Sequence, residues 1–125
     1  MQVPILKQGP FLIATIQAAL TDADLEQLRS ALLERVVRFR SLGVIVDVTA
    51  MDVMDSYASR ILLQISHMIR LRGTETVIVG IQPEVAFAMV QLGLTLEDVP
   101  TALDLEEGLA HLQQKFATGS GAPGP

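Results

Sequence analysis

The residues with the clearest potential for chemistry lie in one short stretch, between an apolar run and an amphipathic run. Asp47 falls near the end of the apolar run, Asp52 and Asp55 follow in a turn, and Ser56 opens the amphipathic run. A serine at a helix start has its hydroxyl near solvent, beside backbone N–H groups without an acceptor inside the helix. These N–H groups and the positive helix end can hold a phosphate, which makes Ser56 a candidate for phosphorylation. A plain helix cap explains the same serine, so the pattern alone leaves both roles open.

The three aspartates suggest either a metal site or a set of local hydrogen bonds. Clustered carboxylates suit magnesium, and an aspartate at the end of a central strand is typical of phosphoacceptor receiver domains. Such a domain also needs an acidic pair after an earlier strand and a lysine after a later one. The two lysines of the chain, Lys7 and Lys115, lie at neither place. We therefore expect no metal, with Asp47 hydrogen-bonded to turn amides and Asp55 capping the helix.

Other catalytic patterns are missing from the sequence. His67 and His111 fall in the middle of predicted helices, and no nucleophile stands at a useful spacing from either. The chain has no cysteine and no glycine-rich phosphate loop of the GxxxxGK type. The sequence therefore predicts a binding module that is not an enzyme and carries no cofactor.

Composition restricts the partners that such a module can bind. The 125 residues carry a formal net charge of −5 and only 4% aromatic residues, which argues against nucleic-acid binding. No apolar run is long enough to span a bilayer, and the first ten residues lack a signal pattern. We therefore expect a cytoplasmic protein that does not bind membranes. Half of the residues are apolar, a high fraction that predicts self-association.

Alternation of apolar runs and amphipathic runs predicts an α/β fold with one domain over residues 1–116. The predicted strands are residues 3–7, 11–17, 44–48, 76–80 and a short strand within 96–102. Helices are predicted to begin after Thr21, at Ser56, at Pro83 and after Asp104. This order favours a mixed, mainly parallel sheet with about four flanking helices and an antiparallel strand at one edge. Residues 117–125 are rich in glycine, alanine and proline and are predicted to be a disordered tail.

The helix that Pro83 opens is predicted to be short, with Gly93 as its stop. Its apolar residues suggest that the inward face consists of Val85, Ala86, Met89 and Leu92.

A partner-binding face is predicted on the helix that Ser56 begins. Ser59, Arg60, Leu63 and His67 follow Ser56 along one side of this helix. The spacing places Leu63 opposite the predicted buried stripe, where a leucine needs a partner or must tolerate solvent. A polar rim around an exposed leucine beside a modifiable hydroxyl is a reasonable protein-docking surface.

Three segments of the sequence resemble a known family. The segment VIVDVTAMDVMDSYASRIL is similar to the signature of the STAS domain, which sulfate transporters and anti-sigma-factor antagonists share. The segments VPILKQGPFLIATIQ and GIQPEVAFAMVQLGLTLEDVPTALDLEEGLAHL resemble the small serine-bearing scaffold proteins of the bacterial stressosome. The resemblance covers residue 3 to about residue 116 and implies the STAS fold.

The resemblance also implies a function and partners. It implies a non-enzymatic scaffold that assembles with sensor-domain STAS paralogues into a hollow multi-subunit shell and sequesters a serine/threonine switch kinase. Phosphorylation of Ser56 would release that kinase, with Asp55 and the strand-end Asp47 as the other motif residues. Tyr57 departs from the phenylalanine that is more common after the serine. A stand-alone anti-sigma factor antagonist switched by serine phosphorylation and a nucleotide-binding STAS module remain as alternatives.

Overall fold

The computed structural model describes residues 2–96 and 98–121, which form five strands and four helices. The strands are β1 (Ile5–Gln8), β2 (Phe11–Thr15), β3 (Gly43–Asp47), β4 (Glu75–Val79) and β5 (Thr101–Ala102). The helices are α1 (Asp22–Phe39), α2 (Ser56–Arg70), α3 (Pro83–Gln91) and α4 (Leu105–Gly121). Each element lies where the sequence predicts one, although several ends differ by one to three residues.

The strands form one sheet in the order β1-β2-β3-β4-β5. β1 and β2 are an antiparallel hairpin, whereas β2, β3, β4 and β5 are parallel. Gly9 has a φ of 58°, which is the backbone conformation that glycine adopts at least cost, and it turns the hairpin. The predicted mixed, mainly parallel sheet with an antiparallel edge is therefore confirmed.

Alternate residues of the central strands point into two separate cores. Leu12, Val44 and Ile78 point to the side covered by α1, α2 and α3. Ile13, Ile45 and Val77 point to the other side, which α4 covers with Leu112. Both faces of β3 are thus dry, because the run of apolar residues in this strand leaves no polar side chain to face water.

α4 lies very close to the sheet because two glycines leave room for it. A Cβ on Gly43 would lie 2.8 Å from the Leu112 side chain, and a Cβ on Gly108 would lie 2.7 Å from Val79. At the start of α4, Asp104 Oδ1 accepts from the Glu107 amide and Glu107 Oε1 accepts from the Leu103 amide.

The end of α4 overlaps the tail that the sequence predicts. The helix continues to Gly121, five residues past the predicted domain boundary at residue 116. Residues 122–125 of the predicted tail lie outside the described residues, so disorder there stays a prediction.

The inward face predicted for α3 is wrong at two of its four positions. Val85 and Met89 are buried, but Ala86 is exposed and 69% of Leu92 is accessible to solvent. α3 ends at Gln91, and Leu92 follows with a φ of −87° and a ψ of 0°, so it no longer continues the helical spacing. The buried residues of α3, Val85 and Met89, are one helical turn apart on a single narrow face. Within the described residues, no helix has the length and apolar character to cross a membrane.

Candidate functional site

The segment between β3 and α2 lies at the carboxyl end of the parallel strands, where a backbone hydrogen bond and buried side chains hold it. The Val48 amide donates to the Val79 carbonyl of the neighbouring strand at 3.0 Å. Met51 and Met54 are 4% and 5% exposed and pack into the core under α1 and α2. The segment is therefore held from beneath by its own side chains, and the residues between these anchors are turned outward.

Asp47 holds the first turn of this segment. Its Oδ1 accepts from the Thr49 amide at 2.9 Å and from the Thr49 hydroxyl at 2.6 Å. Gln82 Nε2, at the start of α3, donates to the Thr49 carbonyl at 2.7 Å. The predicted bond from Asp47 to a turn amide is confirmed, and the same threonine ties the segment to α3.

Asp55 and Ser56 have different roles at the start of α2. Asp55 is the N-cap: its Oδ1 accepts from the Ala58 amide at 2.8 Å, as predicted, and its carbonyl accepts from the Ser59 amide at 3.0 Å. Ser56 is the first helical residue and is exposed, so its hydroxyl is not needed as the cap. An α-helix supplies no internal acceptor for the amides of Ser56 and Tyr57. The hydroxyl therefore lies beside donors that an added phosphate can use.

The rest of the predicted partner-binding face is only partly exposed. Arg60 and His67 are exposed, but Ser59 is 3% exposed and Leu63 is half-buried against the main core. The prediction of Ser59 as a surface contact is therefore wrong, whereas a contact at the partly exposed Leu63 stays a prediction. On the same side of α2, Arg70 donates to the Asp98 carbonyl, so the segment between α3 and β5, and not α1, lies beside these two residues.

α1 is also linked to α2 by polar side chains. Arg29 Nη1 donates to Gln64 Oε1 at 2.6 Å, and the Tyr57 hydroxyl donates to Glu26 Oε2. The bond to Glu26, with some desolvation, raises the pKa of the Tyr57 phenol. The departure from phenylalanine at position 57 therefore adds a hydrogen bond between α1 and α2 next to Ser56.

Val53 is a surface residue of this segment that the sequence reasoning missed. It is 69% exposed and lies three residues before Ser56, between the buried Met51 and Met54. The sequence feature that could have identified Val53 is a β-branched apolar residue in a turn rich in aspartate. Because Met51 and Met54 on either side are buried, the Val53 side chain faces solvent between two fixed points of the chain.

The described residues hold no group of three histidine or acidic side chains with the geometry of a metal site. Asp47 and Asp55 are occupied with backbone donors, and Asp52 is exposed. The arrangement is that of an exposed hydroxyl on a rigid turn, which suits covalent modification and protein contact.

A sequence model of the STAS domain matches residues 2–108. The chain belongs to the STAS-domain family. This confirms the family that the three sequence segments resemble.

The STAS domain has relatives among stressosome proteins. The RsbT co-antagonist protein RsbRA of Bacillus subtilis (strain 168) is 34% identical over 84 residues, which are 67% of this chain and 31% of the relative. A serine-to-glutamate variant of RsbS from Moorella thermoacetica has a TM-score of 0.80 and 32% identity, covering 91% of this chain and 97% of that chain. A chain in the solved molecular architecture of the stressosome, a signal integration and transduction hub, has a TM-score of 0.76 and 33% identity, covering 90% and 98%.

The chain thus spans about a third of the length of RsbRA and nearly all of the RsbS variant. The STAS fold is confirmed, and the chain is similar to stressosome proteins of the RsbR and RsbS types.

Proposed function

We propose that this STAS domain is a non-enzymatic stressosome scaffold that sequesters a serine/threonine switch kinase and releases it when Ser56 is phosphorylated. The observation that carries the proposal is the exposed Ser56 at the first position of α2, with the cap supplied by Asp55 instead. The similarity to RsbS and to a stressosome chain, each above 30% identity over about nine-tenths of this chain, supports it. The partners proposed with it are the kinase, a sensor-domain STAS paralogue and further copies of this chain.

Phosphorylation at Ser56 is compatible with the fold. It adds roughly −1.5 to −2 charges at neutral pH at the positive end of α2. The amides of Ser56 and Tyr57 are available to the phosphate, whereas the Ala58 amide is already taken by Asp55. The modification therefore leaves the cap in place and changes the surface charge.

The change in charge supplies the release step. A kinase surface fitted to a neutral Ser56 hydroxyl contacts the residues around it, of which Val53 and Arg60 are exposed. The adjacent Asp55 carboxylate repels an added phosphate and favours its position on the partner side. Each 1.4 kcal/mol or so of mismatch lowers the affinity about tenfold, so a desolvated dianion at this contact is enough to release the kinase.

The test uses Ser56→Ala and Ser56→Asp in complexes assembled with the sensor paralogue. We expect Ser56→Ala to fold normally and retain the kinase under phosphorylating conditions. Ser56→Asp should weaken kinase binding by about tenfold or more, because one buried and unpaired charge costs at least that much. Kinase retention after size-exclusion chromatography and uptake of labelled phosphate are the measurements.

The matched controls are Ser30→Ala and Ser30→Asp, because Ser30 is an exposed serine inside α1. Both controls should behave like the wild type in retention and labelling. Equal retention by Ser56→Ala and Ser56→Asp, or labelling of Ser56→Ala at the wild-type rate, would reject the proposal.

A further inference from the structure

Arg60 is an exposed arginine one helical turn after Ser56, and its charge is not used within the fold. Arg29 of α1, in contrast, donates to Gln64 Oε1 at 2.6 Å. Among the residues that the structure describes, no carboxylate or other acceptor bonds the Arg60 guanidinium. Arg60 is therefore available to a charged group that is added to this face of α2.

The geometry of an α-helix brings Arg60 and Ser56 together. Residues four apart differ by about 40° around the helix, and their Cβ atoms lie about 5–6 Å apart. Long helical side chains also lean towards the N-terminus and cover the turn before their own Cα. The turn before Arg60 is the one that Ser56 begins, so the guanidinium reaches the oxygens of a group attached to Ser56.

The other side chains with charge near the start of α2 are mostly acidic. Asp52 and Asp55 are exposed just before the helix. On α1, Glu26 bonds the Tyr57 hydroxyl, and the negative charges of Glu26 and Asp22 act on that hydroxyl. A phosphate at this place is repelled by several carboxylates, so a cation within reach decides where the phosphate lies.

Arg29 is another cation near α2, but it lies farther from Ser56. It bonds Gln64, which is eight residues after Ser56, or about 12 Å along the helix at 1.5 Å per residue. Arg60 is half as far along the same helix. Arg60 is thus better placed than Arg29 to meet a charge on Ser56.

We infer that Arg60 pairs with the phosphate of phosphorylated Ser56 and holds it on the exposed face of α2. Two N–H groups of the guanidinium donate to phosphate oxygens, which is the bidentate arrangement that arginine and phosphate favour. The amides of Ser56 and Tyr57 donate to the same phosphate from the helix end. The inference rests on the phosphorylation of Ser56 in the proposed function and names the residue that positions the phosphate.

A ³¹P NMR titration measures this pair directly. Phosphoserine is installed at position 56 of the full chain by genetic code expansion, so that no kinase is needed. A nearby cation favours the dianion, so Arg60→Gln should raise the second pKa of the phosphate by about 0.3 or more, which is about twofold in proton affinity. Arg60→Lys keeps the positive charge and should restore most of the difference. Low salt keeps the screening of this exposed pair small.

Two controls separate the pair from the general effect of charge. Arg29→Gln removes the other positive charge near α2 and should change the phosphate pKa less than Arg60→Gln does. Phosphoserine at position 30, on the exposed side of α1, has Glu34 four residues later, and its phosphate should not respond to Arg60→Gln. Arg60 is exposed, so its replacement should not unfold the protein, and a circular dichroism melt checks this.

An unchanged phosphate pKa in Arg60→Gln, or a larger change in Arg29→Gln, overturns the inference. Either result leaves the proposed function intact, because kinase retention by Ser56→Ala and Ser56→Asp is measured separately. A kinase that does not label Ser56 rejects the proposed function, whereas the raised pKa in Arg60→Gln would still demonstrate the pair.

Discussion

Asp55 and Ser56 are neighbours with different surroundings at the start of α2. The Asp55 carboxylate is used by the backbone, since it accepts from the Ala58 amide. Ser56 is not the capping residue, and its side chain is exposed at the positive end of α2. Because the cap does not depend on Ser56, the hydroxyl can be replaced or modified with little effect on the helix.

Tyr57 allows a test of the link between α1 and α2 at the level of one bond. It is the single tyrosine of a chain without tryptophan, so its ionisation can be followed by ultraviolet absorbance without overlap. The hydrogen bond to Glu26 raises its pKa, and we expect a titration midpoint above that of a free tyrosine. The bond stabilises the folded state below the ordinary tyrosine pKa, and that stabilisation is lost as the pH rises through the raised pKa.

Glu26→Gln should lower the midpoint of Tyr57, because the substitution removes the charge that opposes the phenolate. Glu34→Gln is the matched control on the same helix, since Glu34 pairs with Arg35 and Arg38 instead. An unchanged midpoint in Glu26→Gln would show that the bond to Tyr57 does not form in solution.

At the scale of elements, hydrogen bonds and a close contact at the carboxyl ends of β3 and β4 hold the segment that carries Val53 and Ser56. We call this set of contacts the brace. Thr49 is bonded to Asp47 on one side and to Gln82 on the other. Gly80, just after β4, has a φ of 81° and lies directly against Thr49. The brace requires a glycine there, both for the backbone conformation and for the space.

Gly80→Ala is therefore expected to disturb the brace. The added Cβ would lie 2.0 Å from Thr49 Oγ1, a clash that displaces the threonine from Asp47. We expect the free energy of unfolding to fall by about 1–3 kcal/mol from the strained backbone alone, and further from the clash. Urea denaturation measures this loss, and amide hydrogen exchange at Thr49 should become faster.

Gly9→Ala separates the two causes. Gly9 also has a positive φ, 58°, but nothing lies within 4 Å of an added Cβ. This control should show the backbone cost with no effect on exchange at Thr49. An equal loss of stability in the two variants would argue against the clash at Thr49.

At the scale of the whole molecule, exposed apolar side chains occur at both ends of the strands. Phe39, Leu42 and Leu71 precede β3 or β4, at the amino-terminal end, whereas Phe87 and Val90 lie on α3, which follows the carboxyl end of β4. A chain with two separate contact surfaces can join more than one neighbour. Closed assemblies larger than a dimer require such a chain.

We therefore expect a large complex when the chain is mixed with a sensor-domain STAS paralogue. Analytical ultracentrifugation should show a species heavier than a dimer of either component. A mixture that contains only monomers and dimers would favour the alternative of a stand-alone anti-sigma factor antagonist. Kinase binding to the chain without the paralogue would support the same alternative.

Local features of this protein were determined by the sequence alone. The Asp55 cap and the bond from Asp47 to a turn amide were each predicted from neighbouring residues. The mainly parallel sheet also followed, because buried apolar runs that alternate with helices favour parallel strands, whereas the strand order came from the structure. These features depend on hydrogen bonds and periodicity within a few residues of the chain.

Each helix has an apolar face that periodicity identifies from the sequence. Only the tertiary structure decided which other faces of the helices are also covered. Periodicity placed Leu63 outside and Leu92 inside. Leu63 is half-buried because the segment between α3 and β5 lies on its side of α2, where Arg70 donates to the Asp98 carbonyl. Leu92 is exposed because α3 ends at Gln91. Ser59 is buried for the same reason as Leu63. A helical repeat reports one apolar direction, whereas burial in a second direction depends on where a segment distant in sequence comes to lie. The site around Ser56 thus follows from local sequence, and the surfaces open to partners follow from packing.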